Sequence, residues 1–334
     1  MVIVESYPVA VVLCFITMLC WGSWANTQKL ATKEWKFQLF YWDYSIGILI
    51  LSLVLAFTLG SIGERGRGFL IDLSQAESSN LLLAILGGVV FNFANILLVA
   101  AIDVAGMAVA FPVGIGLPLV IGVLSNYMAL PVGNPWLLFM GVACVSMAIV
   151  LDAFAYKKLP SSSEKSVVKG LLLSVVAGIS MGFFYRFVAA SMASSYSSPE
   201  PGALSPYTAV VVFSMGLLLS NILFVTAVMY KPFSGGKVSP GDYFSKGNLR
   251  LHSVGILGGA IWGLGMSLSI LAAGAAGYAI SYGLGQGATM VAAFWGVFVW
   301  KEFKDAPHGT NMLILAMFGC FIVGLGLIIA ANAF

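Results

Sequence analysis

The sequence predicts an all-α, polytopic membrane protein with ten transmembrane helices in two inverted five-helix repeats. Three observations carry this expectation. Of 334 residues, 60% are hydrophobic and only 9% charged, with a mean hydropathy of +0.99, whereas roughly a quarter of a soluble domain is charged. Apolar windows long enough to span a bilayer, about 20 residues, recur along the whole chain. The sequence also matches itself when shifted by 171 positions. So few charges cannot build a water-soluble surface. A cytosolic enzyme is excluded, and the disordered, fibrous and disulfide-rich secreted classes go with it.

The windows fall at 7–28, 38–61, 80–103, 106–128, 135–156, 167–192, 206–230, 251–274, 277–300 and 309–333. Lipid offers no partner to an unpaired backbone group, so each window is expected to be helical. The first window follows no basic stretch and shows no clear cleavage site, so it reads as a retained span rather than a signal peptide. Windows 80–128 and 251–300 are almost loopless hairpins. Cys14, Cys20, Cys144 and Cys320 lie inside apolar windows without metal-ligand spacing and read as small buried hydrophobes. No metal or cofactor is implied.

Net charge is +3, too small to suggest a nucleic-acid partner, but the placement of the bases is informative. Thirteen of the 16 lysines and arginines border the loops after windows one, five, seven and nine: Lys29, Lys33, Lys36, Lys157, Lys158, Lys165, Lys169, Lys231, Lys237, Lys246, Arg250, Lys301 and Lys304. Arg65 and Arg67 lie on the other side, and Arg186 falls inside a window. The positive-inside rule therefore puts the odd-numbered loops in the cytoplasm and both termini outside.

At a shift of 171, Ile85-Leu86-Gly87-Gly88 lies on Ile256-Leu257-Gly258-Gly259, and Ala105, Gly106 and Ala108 lie on Ala276, Gly277 and Ala279. Gly114 and Gly116 lie on Gly285 and Gly287, with Phe91 opposite Trp262 and Phe111 opposite Tyr282. A weaker match at a shift of 160 puts Gly22 on Gly182 and Asn26 on Arg186. The halves are 1–156 and 167–334, joined by a polar cytoplasmic linker at 157–166. Five spans is an odd number, so the second half must enter the membrane upside down. That plan is frequent in secondary transporters, whose substrate site lies between the halves near the midplane.

Two corresponding spans carry helix-breaking runs. Span four holds Pro112, Gly114, Gly116 and Pro118; span nine holds Gly283, Gly285 and Gly287. These residues free backbone groups, which must face protein or a wet cavity in the membrane, and the same glycines equally permit close helix packing. Amides and aromatic rings concentrate nearby: Trp21, Trp24, Asn26 and Gln28 on span one, Asn92 and Asn95 three apart on span three, and Tyr278, Ser281, Tyr282, Gln286 and Thr289 on span nine. Directional hydrogen bonds beside ring faces suit a small, neutral, planar or hydroxylated solute. Trp262 joins this set through its register with Phe91. Singly, such residues serve as interhelical hydrogen bonds or interface anchors.

Charges within spans are costly and usually functional. Arg186 could bind a carbonyl-rich substrate, close an outer gate against Glu5, or form a structural ion pair. Asp43, near the cytoplasmic start of span two, is either a protonatable coupling site or an interface residue. Glu5, Asp103 and Asp152 fall at span ends, where snorkelling is cheap.

Several short motifs point to a family. Val4-Glu5-Ser6, Trp21-Gly22-Ser23-Trp24, Asp43-Tyr44 and Phe57-Thr58-Leu59-Gly60 resemble those of the ureide permeases. So do Gly87-Gly88 with Asn95, Asn126-Tyr127, and Ala275-Ala276-Gly277-Tyr278-Ala279 followed by Phe294-Trp295-Gly296. The resemblance implies membership of the drug/metabolite transporter superfamily, near the glucose/ribose porters. It also implies ten helices in two inverted halves and proton-coupled transport of oxo-heterocycles such as allantoin, uracil or xanthine. Plant members carry a long central cytosolic loop with a phosphate-binding-like motif. Here Lys157 to Lys165 is short and lacks one, which points to a bacterial-type member in the inner membrane.

The sequence thus predicts a secondary transporter that works by alternating access on a nucleobase or ureide-type solute, with a hexose or pentose as the alternative. Its partners are that solute, a coupling proton and the bilayer; a homodimer is compatible with this reading. HExxH and GxSxG settings are lacking, and His252 and His308 lie near span ends, so an intramembrane enzyme is not expected.

Overall fold

In the computed structural model, which describes residues 1–31, 34–159, 167–233 and 236–333, the chain is helical throughout its apolar windows. The elements are α1 (Tyr7–Ser23), α2 (Ala25–Ala31), α3 (Phe37–Phe57), α4 (Phe69–Gln75), α5 (Ser78–Ala105), α6 (Met107–Gly114), α7 (Gly116–Ala129) and α8 (Pro135–Lys157). They continue as α9 (Val167–Ser191), α10 (Pro206–Tyr230), α11 (Pro240–Ser245), α12 (Leu249–Ala276), α13 (Tyr278–Gly285), α14 (Ala288–Phe294), a π-helical turn at Trp295–Val299, and α15 (Thr310–Ala330). Most of the linker expected at 157–166, with Lys165, and Lys33 of the first basic loop lie outside the described residues.

Nine helices among the described residues are long and apolar enough to cross a bilayer. The expected count was ten, and the difference lies in window 277–300. It is interrupted at Gln286 and Gly287, which cap α13 against α14; Gly283 and Gly285 lie within the last turn of α13, α14 runs on into the π turn, and neither piece is of span length, because glycine weakens a helix. Window 106–128 divides at Ile115, between α6 and α7. Ile115 and Gln286 are 171 residues apart. Apolar side chains cover the outer faces of the long helices, with Leu223 68% and Ile322 67% exposed. A surface of that kind fits lipid rather than water.

Packing follows the repeat register. Gly88 on α5 lies against the backbone of Phe213 and Leu217 on α10; Gly259 on α12 lies against that of Tyr44 and Ile48 on α3. A Cβ at either position would overlap a carbonyl oxygen, of Phe213 or of Tyr44, so only glycine permits these approaches. Gly141 and Gly324 meet reciprocally where α8 packs on α15. The two tight hairpins turn on Gly106 and Gly277, at φ +80° and +81°, a region that side chains avoid. Gly259→Ala is expected to lower stability by about 1–3 kcal/mol through overpacking, read as a reduced unfolding temperature in detergent; an unchanged temperature would show that the α3–α12 contact can yield.

The N-terminus and Ala331 lie at one end of the bundle. The Met1 ammonium donates to the Arg65 carbonyl at 2.7 Å, the Tyr7 hydroxyl to the Ile329 carbonyl at 2.5 Å, and the Asn134 amide to the Ala331 carbonyl at 2.6 Å.

Candidate functional site

A cavity of about 310 Å³ opens among α1, α2, α5, α7, α9, α12 and α14, at the level where the two broken spans are interrupted. Aromatic rings make one wall. Trp21 and Trp262 stack at 5.8 Å with planes 14° apart, and the Trp21 indole N–H donates to the Trp262 carbonyl at 3.2 Å. Phe91 sits 4.4 Å from Trp262 and 5.0 Å from Phe184. Trp24 contributes a further ring, braced on Tyr44 at 4.7 Å.

Amides make the other wall. The Asn95 amide nitrogen donates to the Tyr41 hydroxyl at 2.9 Å; the residue lines the cavity, and its carbonyl oxygen has no partner among the described residues. Gln28 and Gln286 line the cavity, and neither side chain is hydrogen-bonded to a described residue. Thr289 spends its hydroxyl on the Gln286 carbonyl at 2.9 Å, bracing the broken turn. Among the described residues, no charged side chain lines the cavity. The wall thus offers donors, acceptors and flat ring faces, with no net charge to attract an ion.

Among the expected site residues, Trp21, Trp24, Asn95, Trp262, Gln286, Gly114 and Pro118 line the cavity. Others lie elsewhere. The Asn92 amide nitrogen points at the Leu217 carbonyl, the Ser220 hydroxyl and the Asn221 carbonyl oxygen, tying α5 to α10. Asn26 accepts from the Trp300 indole at 2.6 Å and donates to the Ser23 carbonyl. The Tyr278 hydroxyl meets that of Tyr196 at 3.1 Å, and Tyr282 is fully buried against Gly122. Arg186 is half-buried near Tyr278 and forms no ion pair with a described residue; Glu5, offered as its gate partner, pairs with Arg65 instead. Phe184 and Met181 line the cavity but were not singled out from the sequence. Phe91 was legible through its register with Trp262.

Asp43 is fully buried away from this cavity. Its carboxylate accepts from the Trp35 indole at 2.9 Å and from the Tyr243 hydroxyl, and lies 2.9 Å from His252 Nδ1. Burial, then the bond to Asp43, raises the Tyr243 hydroxyl above the usual phenol range, which keeps it a donor. Asp43 thereby ties the loop before α3, α11 and the start of α12 together.

The sequence pattern of the ureide permeases matches residues 40–165 and 157–331. The chain belongs to the ureide permease family. Ureide permease 4 and ureide permease 1 of Arabidopsis thaliana are each 24% identical to it, over 99% of both chains. A probable ureide permease A3 of Vigna unguiculata is 24% identical over 92% of this chain and 99% of its own. One crystal structure shares the fold, with a TM-score of 0.56 at 16% identity over 95% of this chain and 96% of that one. Membership in a permease family indicates a multi-pass membrane transporter rather than an enzyme.

Proposed function

We propose that the protein is a secondary transporter that moves a neutral oxo-heterocycle, of ureide or nucleobase type, by alternating access around the central cavity. The observation that carries this reading is the cavity wall itself. Trp21, Trp262 and Phe91 offer ring faces to a flat solute, while Asn95, Gln28 and Gln286 hold amide groups free to pair with ring carbonyl and N–H groups. A cavity of 310 Å³ suits a small heterocycle. The kinship with ureide permeases favours this class over a hexose or pentose.

In this reading the halves 1–156 and 167–334 are inverted copies that rock about the cavity. The exchanged packing of Gly88 and Gly259, and the helix breaks at Ile115 and Gln286, support it. Transport is coupled to protons, both termini face outside, and the membrane is a bacterial inner membrane. Asp43 serves as a cytoplasmic tie that holds α11 against the bundle.

A thermal-shift screen of purified protein against ureides, nucleobases, nucleosides and sugars tests the reading. A ligand at 100 times its Kd should stabilise the folded state by about 2.7 kcal/mol. Allantoin, uracil or xanthine should raise the unfolding temperature; a rise with hexoses or pentoses alone would overturn the heterocycle reading.

A further inference from the structure

Beside the central cavity lies a second hollow of about 180 Å³, and the two share Ala25, Ile115, Thr289 and Ala292 as a common wall. Its polar side holds Asp152 from α8 and Glu302 from beyond the π turn. Glu302 is fully engaged: one oxygen accepts from Lys29 at 2.7 Å and the other from the Tyr156 hydroxyl at 2.9 Å. Asp152 is not. It is 7% exposed, lines the hollow, and makes no hydrogen bond or ion pair with any described residue, while the Glu302 carboxylate faces it.

Among the described residues, two carboxylates and one ammonium leave one negative charge without a partner, and for the nearly buried Asp152 that is costly. One positive charge completes the site. The Lys29 ammonium, already seated on Glu302, repels a metal cation, and a hard cation needs a cage of about six oxygens that this hollow lacks. A proton needs a single oxygen.

We propose that Asp152 is the proton-carrying group of the transport cycle. This rests on the transporter reading above. The proton arrives from water, forms one O–H bond on the Asp152 carboxylate, and leaves to water on the opposite side; nothing is oxidised or reduced. Among the described residues, the charged and titratable groups that face Asp152 are Glu302 and Lys29, with Tyr156 from its own helix. The helices packed on α8, namely α6, α7 and α15, carry no acidic residue, lysine, arginine or histidine. Coupling runs through the shared wall: Thr289 borders both spaces and its hydroxyl donates to the Gln286 backbone carbonyl, so a solute that shifts the Gln286 turn through its side chain bears on the hollow that holds the proton.

The test uses full-length protein in lipid vesicles with Asp152→Asn, Asp152→Glu and Asp43→Asn. Infrared difference spectra between acid and neutral buffer, taken without substrate, should show a protonated-carboxyl band that Asp152→Asn removes and Asp43→Asn keeps. With labelled allantoin as probe, Asp152→Asn should retain counterflow exchange but lose accumulation driven by a pH gradient. In the wild type one pH unit supports about ten-fold accumulation at one proton per solute, and Asp152→Glu should restore part of it. A persistent carboxyl band, undiminished gradient-driven accumulation in Asp152→Asn, or wild-type accumulation driven by a sodium gradient instead would each overturn the assignment. Absence of exchange of allantoin, uracil and xanthine in the wild type would instead defeat the substrate reading and leave the infrared result to decide this one.

Discussion

Trp262→Ala is expected to weaken heterocycle binding and to lower stability. The Trp262 ring is nearly buried and lies among four aromatic neighbours: Phe91 at 4.4 Å, Trp21 at 5.8 Å, Phe213 at 6.0 Å and Tyr44 at 6.4 Å. Truncating a packed tryptophan costs about 3–5 kcal/mol. Stacking of a flat base on an aromatic ring contributes about 1–3 kcal/mol, so affinity should fall roughly 5- to 150-fold before any rearrangement of Trp21. Trp262→Phe keeps a ring face and should lose less on both counts. Titration calorimetry with allantoin, with the unfolding temperature measured on the same samples, separates the two effects. An alanine variant that binds with wild-type affinity would remove Trp262 from the site.

Asp43→Ala should have the second largest effect, on stability and on the order of the segment 236–250. The substitution leaves the Trp35 indole and the Tyr243 hydroxyl as donors without an acceptor, and His252 Nδ1 without its neighbour. Each buried donor left without an acceptor costs about 1–3 kcal/mol. Asp43→Asn retains an oxygen acceptor and should cost less. Because α11 is a single short helix held partly by Tyr243, limited proteolysis should cut the alanine variant between α10 and α12 well before the rest of the bundle unfolds. Equal cleavage rates in variant and wild type would show that Asp43 does not hold α11.

Much of the architecture was readable before any coordinates, because a bilayer leaves a chain few choices. Apolar windows must be helices, so composition and spacing locate them within a few residues. The 171-residue register singled out Gly87-Gly88 and Gly258-Gly259; in the fold, Gly88 and Gly259 let α5 reach α10 and α12 reach α3. It also aligned Gly106 with Gly277, both at positive φ. Glycine carries this information because its effect is local: it alone tolerates an adjacent backbone, or a left-handed turn.

The site was only half readable. Asn92 and Asn95 lie three residues apart and were expected to work together, yet Asn92 is spent on α10 and Asn95 reaches the cavity. Tyr278 and Tyr282 sit on the same broken span as Gln286, but only Gln286 lines the cavity. Helical spacing says which side chains point the same way, not which neighbouring helix they meet.

Sequence alone was enough to establish a multi-pass helical membrane protein, where its helices weaken, and that its interior is rich in amides and aromatic rings. Side-chain destinations waited for the packed bundle. Asp152 looked like an acid at a span end, free to reach water, until α8 was packed and the segment after the π turn set Glu302 beside it. The reason is that solvation and pairing are properties of the surroundings: a carboxylate costs little in open water and much when buried beside another carboxylate, and the surroundings exist only once distant segments have met.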